Sequence, residues 1–410
     1  MISLFLHKAI SKNYYILLFI SVLNYSMGEK MKVLGIIVEY NPFHNGHIYH
    51  IQKAKELTKC EYTIAVMSSS FVQRGEPAII DKGTRSRLAV EYGVDLVIEL
   101  PFVYACQSAD YFAKGAIDLL HAIGVTDICF GSEDGRIETF IEIAHAIEDH
   151  HDTYQQLVKD AMNQGKRYPD ACNSALKSIL NHEVKTPNDL LGLSYVKEII
   201  SHNYPITPHC FKRTNQYHDE NMQEIASASA IRKAIFENND YTYALPHSEL
   251  YQKTHYALND FFNYLQYQIT ISSHDELRQY HMVEEGLENA LKTHISHVYN
   301  IEELIQALLS KRYTRPRIQR MLIHILMKNT KEDIQEAMQV DYIRILAMNN
   351  RGRDYIRQIK KSCPYTIISR FSSYQHPALD IENKATQLLS LIDSSIIPEY
   401  QYIPYIQEDK

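Results

Sequence analysis

Lys32-Val-Leu-Gly-Ile-Ile-Val-Glu-Tyr-Asn-Pro-Phe-His-Asn-Gly-His47 is the stretch from which the fold can be read. Its first half, Val33–Val38, is a short apolar run rich in β-branched residues, the pattern of a strand covered on both faces. A Pro- and Gly-bearing loop follows, and Ile48–Thr58 then has helical periodicity. Working outward, the same alternation repeats: Tyr62–Met67 reads as a strand, Thr84–Tyr92 as a helix and Leu96–Leu100 as a strand. Ser108–Ile123 then reads as a helix and Ile128–Phe130 as a strand. Short apolar strands alternating with helices of ten or more residues predict βαβ units. The fold class is therefore α/β, Rossmann-like, with a parallel sheet and helices on both faces. Such sheets bind ligands beyond the carboxyl ends of their strands.

Beyond this core, Ile137–Glu148 and Leu190–Ser201 read as helices, Ile206–Lys212 as a last strand and Ala226–Phe236 as a capped helix. From residue 241 to about 360 Gly nearly vanishes and amphipathic helical periodicity dominates. The expected division is a catalytic α/β domain over 31–240 and a mainly helical C-terminal domain over 241–410. Ile396–Tyr405 is too rich in Pro for a helix and is expected to pack as an extended arm. Residues 1–30 differ from the rest: Lys8 and Lys12 precede an apolar run from Tyr14 to Leu23, with no small-residue cleavage site after it. Met31 stands one residue before the first strand, so 1–30 is expected to be a non-native extension from a mis-assigned start. An exported or membrane-anchored chain is the alternative.

The chain has 410 residues, 45% apolar and 22% charged, a globular composition that excludes disorder throughout. No apolar run reaches the ~18–20 residues of a spanning helix, which excludes a multi-pass membrane protein. The six Cys (60, 106, 129, 172, 210, 363) are dispersed, without CxxC. A disulfide framework and a zinc site are therefore not expected, and the cytoplasm is the expected compartment.

The loop after the first strand carries the chemistry. His44 and His47, with Gly46 between, can face one anion, backed by the N–H groups and partial positive charge of a helix start. Gly46 permits close approach of a ligand to the backbone. The expected task is nucleotidyl transfer, with both histidines stabilising charge on the phosphates during in-line displacement. Two loop histidines that merely cap a helix are the bland alternative. A second element, Ile225-Ala-Ser-Ala-Ser-Ala-Ile-Arg-Lys233, sets Ser227 or Ser229 to cap a helix. Its N–H groups and Arg232 suit a triphosphate tail. Glu99, Glu133 and Asp134 near strand ends are expected to be structural. Arg74, in Gln73-Arg-Gly-Glu-Pro77, is a candidate contact to phosphate or RNA.

The His44-Asn-Gly-His47 loop and the Ser-Ala-Ser-Ala-Ile-Arg element resemble the nucleotidyltransferase superfamily with HxGH and ISSTxxR motifs. Gly35–His47, Gln73–Pro77, Asp95-Leu-Val-Ile-Glu-Leu-Pro101, Cys129-Phe-Gly-Ser-Glu133 and Tyr217-His-Asp219 together resemble the tRNA(Met) cytidine acetate ligase family. The resemblance runs from Met31 nearly to the C-terminus. It implies an ATP-dependent ligase that forms acetyl-adenylate from acetate and ATP, with Mg²⁺. The acetyl group then passes to N4 of the wobble cytidine (C34) of elongator tRNA(Met). It also implies that Ile37, Val38, Glu39, Tyr40, Asn41, Pro42, Phe43, His44, Asn45, Gly46, His47, Ile48, Tyr49 and His50 form the ATP-binding loop. Gly131, Asn188 and Arg213 are implied as further ATP contacts, beside Ser229 and Arg232. No residue for proton transfer in the second step and no metal ligand is visible, and no membrane or protein partner is expected.

The formal net charge of −7 argues against nucleic acid only as an average. Residues 311–361 hold 13 Lys+Arg and five acids, a local balance of +8. Arg317, Arg320 and His324 fall at i, i+3 and i+7, opposite the apolar positions Ile318, Met321, Leu322 and Ile325. With Arg315, and with Arg351 and Arg353 in a loop, they form the expected tRNA-backbone surface. Two rivals stay open on the residues alone: a nucleotidyltransferase acting on a small phosphorylated metabolite, and a non-catalytic RNA-binding protein.

Overall fold

The computed structural model describes residues 31–180, 184, 186–213, 226–252 and 255–408. The extension 1–30 and the Tyr217-His-Asp219 motif lie outside the described residues. The first half alternates β1 (Val33–Val38), α1 (Asn45–Thr58), β2 (Tyr62–Ser68), the short hairpin β3 (Phe71–Val72) and β4 (Glu76–Pro77), α2 (Lys82–Glu91) and β5 (Leu96–Leu100). It continues through α3 (Phe102–Ala105), α4 (Ala109–Ala122), β6 (Asp127–Ser132), α5 (Ile137–Asp149), α6 (His151–Asn163), α7 (Tyr168–Leu180), α8 (Pro187–Ser201), β7 (Thr207–Lys212) and α9 (Ala228–Phe236). The second half holds α10 (Phe262–Ile271), α11 (His274–Gln279), α12 (Leu287–His294), α13 (Ile301–Leu308), α14 (Arg315–Leu326) and α15 (Lys331–Ala337). It closes with β8 (Tyr342–Asn349), α16 (Asn350–Ile359), β9 (Thr366–Ile368), α17 (Pro377–Ser390) and β10 (Tyr405–Gln407).

The main sheet runs β10-β8-β5-β2-β1-β6-β7, with β9 beside β8. β5, β2, β1, β6 and the edge strand β7 run parallel to one another, and the apolar runs of the first four are buried on both faces. Side chains alternate along β1. Leu34, Ile36 and Val38 join Ile51 and Ala54 of α1 and Leu88 and Ala89 of α2 in one apolar cluster. Gly35 faces the other way: a Cβ there would stand 3.0 Å from Leu120 of α4. Helices therefore cover both faces, as right-handed crossovers running outward and then back require.

The strand order reverses at β1. β1 pairs with β6 through Leu34↔Asp127 and Gly35↔Ile128, whereas β6 and β7 stay paired as far as Ser132↔Lys212. The carboxyl halves of β1 and β6 thus part and open a crevice at the switch point. His50 of α1 occupies the gap, its Nε2 lying 3.0 Å from the Cys129 carbonyl oxygen.

The division at 240/241 needs correction. Residues 241–410 are not a separate helical body, because β8 lies antiparallel beside β5 and β9 and β10 extend the same sheet from β8. The helical reading fails at Tyr342-Ile-Arg-Ile-Leu-Ala-Met348. This run is buried on both faces and therefore has no amphipathic period. Arg344 breaks its apolar pattern, yet Arg344 is 1% exposed. Its Nη1 lies 3.2 Å from Glu99 Oε2, and it also pairs with Glu399. Lys82 Nζ lies 2.6 Å from both Glu99 and Glu399, with Glu382 3.8 Å away. Burial pushes the Glu382 carboxyl up to about 8; it pushes Glu399 the same way, but Lys82 and Arg344 outweigh it and hold Glu399 at about 2. Glu99 is structural, the hub that joins the two halves.

Candidate active site

His44 is the N-cap of α1, in extended conformation, and its Nδ1 accepts the Gly46 N–H at 3.0 Å. The His44 N–H in turn donates to His47 Nδ1 at 3.2 Å. This is a capping box built from imidazoles. Both Nδ1 atoms are acceptors, so the proton of each neutral ring sits on Nε2. The ring centroids lie 3.9 Å apart. Burial, with Arg213 and Arg232 nearby, lowers His44 to about 3. Burial and the neighbouring His44, His50 and Arg213 put His47 well below its ordinary value. The loop therefore presents two neutral N–H donors at a helix start whose first turn carries no acidic residue.

A cavity of about 420 Å³ lies over this pair, at the crevice. Arg213, just past β7, crosses Gly131 of β6: a Cβ on Gly131 would stand 3.1 Å from Arg213 Cγ. Among the described residues, Arg213 Nε is buried with no hydrogen-bond partner, a donor suited to an anion. Ser227 caps α9 through Ala230 N–H at 3.1 Å. Ser229 is left to line the cavity, its hydroxyl 3.1 Å from that of Ser227. Arg232, one turn into the same helix, donates to the Asn41 carbonyl at 2.7 Å and also lines the cavity. Asn188 donates to Glu133 Oε1 at 2.5 Å, and Asp189 accepts from Ser132 Oγ at 2.6 Å. These bonds fasten the start of α8 to the end of β6.

Of the sequence candidates, Ile37, Val38, Glu39, Tyr40, Asn41, His44, Gly46, His47, Tyr49 and His50 line the cavity, as do Gly131, Asn188, Arg213, Ser229, Arg232 and Arg74. Pro42, Phe43, Asn45 and Ile48 do not. Phe43 is fully buried in the core with Ile48 against it, and Asn45 donates to the Tyr243 carbonyl at 3.0 Å. A loop that turns into a helix must send some side chains inward as anchors.

The basic surface needs the larger correction. Arg320 is 8% exposed and donates to the Gln73 carbonyl at 3.1 Å, while His324 is fully buried. The cause is close packing of α14 on Gly75, which adopts φ +77°: a Cβ there would stand 2.3 Å from the Arg320 nitrogen. The stripe is therefore half core. Arg351 pairs with Asp95 at 3.3 Å and with the Glu61 carbonyl, groups that precede β5 and β2. It sits at the amino ends of the strands, the pole opposite the cavity. Arg353, on the same turn, binds Asn350. Arg315 and Arg317 stay at the surface, paired with Glu302 and with Glu284 (2.8 Å) respectively.

Sequence reading missed Arg85, which is fully buried and donates to the carbonyls of Glu39 at 2.8 Å and Ser68 at 3.0 Å. It holds the strand ends that shape the loop; an Arg on the inner face of a helix was its only signal. Phe130, Tyr195 and Phe211 also line the cavity unannounced. Phe130 owes its place to Gly192 on α8, where a Cβ would come within 2.4 Å of the ring.

Burial has a measurable consequence. His44, His47, His50, His281 and His324 are all held below the ordinary histidine value, burial being the first cause in each. Unfolded, each titrates near 6.5. As the pH falls below that value, the unfolded chain takes up protons that the folded chain refuses. Stability is therefore lost with falling pH, by up to about 1.4 kcal/mol per pH unit per histidine. Melting curves from pH 7.5 to 5 should show a steepening drop in Tm below 6.5, and a flat profile would contradict neutral histidines in the fold.

The HIGH Nucleotidyl Transferase family matches residues 31–401. The Bacillus subtilis (strain 168) protein named tRNA(Met) cytidine acetate ligase is 39% identical, the match covering 92% of this chain and 96% of that protein. The protein of the same name from Anoxybacillus flavithermus is 40% identical over 90% of this chain and 96% of its own length. Among solved structures, apo Thermotoga maritima TmcAL superposes with a TM-score of 0.85 at 31% identity, covering 92% of this chain and 100% of that one. The same protein bound with alpha-thio ATP gives 0.83 at 30% identity. With the imidazole pair at the switch point of a doubly wound sheet, these matches over nearly the whole chain show that it belongs to the tRNA(Met) cytidine acetate ligase family of HIGH nucleotidyl transferases.

Proposed function

We propose that this protein joins acetate to ATP as acetyl-adenylate and transfers the acetyl group to N4 of the wobble cytidine of elongator tRNA(Met). The observation that carries the reading is the pair of Nε2–H donors at the start of α1, within a cavity large enough for a nucleotide. A carboxylate oxygen of acetate attacks the α-phosphorus, and the bond to the β-phosphate oxygen breaks. Acetate carries no proton to lose, so this step requires positioning and charge stabilisation rather than a base. His44 and His47 donate to the phosphate oxygens on which charge grows, and Arg213, Ser229 and Arg232 hold the departing pyrophosphate. Neutral imidazoles suit this role, because they gain their full electrostatic partner only when the anion arrives. Arg74, between β3 and β4, is a cation for acetate or RNA at the same wall. In the second step the N4 amine attacks the acetyl carbonyl, the acyl C–O bond breaks, AMP leaves and N4 loses a proton.

Mg²⁺ would enter with ATP as part of the substrate and would offset charge on its phosphates. No step above depends on a metal ligand of the chain. Among the described residues no helix is long and apolar enough to cross a membrane. The reading places the enzyme in the cytoplasm beside its tRNA. Exchange of labelled pyrophosphate into ATP tests the first step. Exchange that appears only with acetate is the expected result. Exchange that ignores acetate but responds to a small phosphorylated acceptor would favour the metabolite-transferase reading.

A further inference from the structure

The cytidine must be delivered by an RNA loop, and two of the expected cations do not mark its entrance: Arg320 is buried and Arg351 lies at the far pole. Two elements bracket the cavity mouth. On one side, Ala109 and Phe112 of α4 line the cavity, and between them Tyr111 points outward, 50% exposed. Tyr168, at the start of α7, is 44% exposed and donates to Asp110 at 2.9 Å, which fixes its ring beside that turn. On the other side, α14 packs on Gly75, next to Arg74 and Glu76 of the cavity wall, and Gln319 donates to Glu76 at 2.9 Å. The two sides meet where Arg167 Nε donates to the Lys311 carbonyl at 3.2 Å. That bond leaves the Lys311 ammonium and the rest of the Arg167 guanidinium at an exposed surface.

We propose that this α7–α14 junction is the RNA-docking surface, with Arg167 and Lys311 on backbone phosphates and Tyr111 and Tyr168 stacking unpaired loop bases while the target cytidine enters the cavity. Cations interleaved with exposed aromatic rings are the chemistry that recognises a single-stranded loop. The phosphates give affinity, and the splayed bases need flat surfaces to replace their lost stacking. A double-stranded stem would need cations alone, whereas unpaired loop bases need the two exposed rings as well. The proposal rests on the tRNA reading above and names where that tRNA sits.

The test combines tRNA(Met) binding by filter retention with acetate-dependent pyrophosphate exchange, on the full chain. Arg167→Glu with Lys311→Glu should weaken tRNA binding about tenfold or more at 0.15 M salt and lower the slope of log Kd against log salt by about 2. Exchange should stay unchanged, which also shows that the variant folds. Tyr111→Ala should lower kcat/KM for tRNA about tenfold, with Tyr111→Phe restoring it, as stacking requires. Binding within twofold of wild type for the double reversal would overturn this docking surface while leaving the ligase reading intact. A wild-type protein that neither binds nor acetylates tRNA would overturn the ligase reading itself.

Discussion

His47→Ala is expected to slow acetate-dependent pyrophosphate exchange by about 10²–10³-fold, the effect of removing one preorganised donor from a developing anionic centre. The substitution also removes the acceptor for the His44 N–H, so Ala alone mixes catalysis with capping. His47→Asn separates them. Its Oδ1 occupies roughly the position of Nδ1 and can keep the cap, but it has nothing at the place of Nε2. Asn should therefore melt close to wild type and still be about as slow as Ala. His47→Gln, whose amide nitrogen reaches further, should recover part of the rate. Wild-type exchange by the Asn variant would show that His47 serves the helix and not the phosphate.

Arg344→Leu is expected to destabilise the protein by about 3–5 kcal/mol, the cost of stranding a buried charge. Glu99, Glu382 and Glu399 would then share Lys82 alone, all within the interior. The double variant Arg344→Leu/Glu99→Leu should regain much of that loss, because it removes one cation together with one carboxylate. Urea unfolding at pH 7.5 measures both. If the single variant unfolds within 1 kcal/mol of wild type, about the scale of a surface pair, the cluster does not hold the two halves together.

Much of this architecture was legible because parallel strands must be apolar throughout. Val33–Val38, Tyr62–Met67 and Leu96–Leu100 could be read by eye, and all three lie at the centre of the sheet. The site was legible for a related reason: a strand, a Gly-bearing loop and a helix start place a motif at the sheet's carboxyl edge before any coordinates exist. What stayed hidden was long-range. Tyr342–Asn349 lies within a long stretch of mainly helical periodicity, and nothing within it says that β5, some 245 residues earlier, lies beside it. Arg320 and His324 stood at helical spacing from Arg317, but spacing cannot tell that Gly75 clears space for the helix to bury that face. Charge arithmetic had the same blindness. It found the +8 segment correctly, but several of its cations serve the fold: Arg344 in the core, Arg320 against Gln73 and Arg351 against Asp95.

The most direct test of the central claim is incubation of the purified protein with ATP, labelled acetate and elongator tRNA(Met), followed by digestion of the RNA to nucleosides. The expected result is label in N4-acetylcytidine, dependent on ATP and lost with His47→Asn. Label that never enters cytidine, with ATP still consumed in the presence of another acceptor, would contradict it.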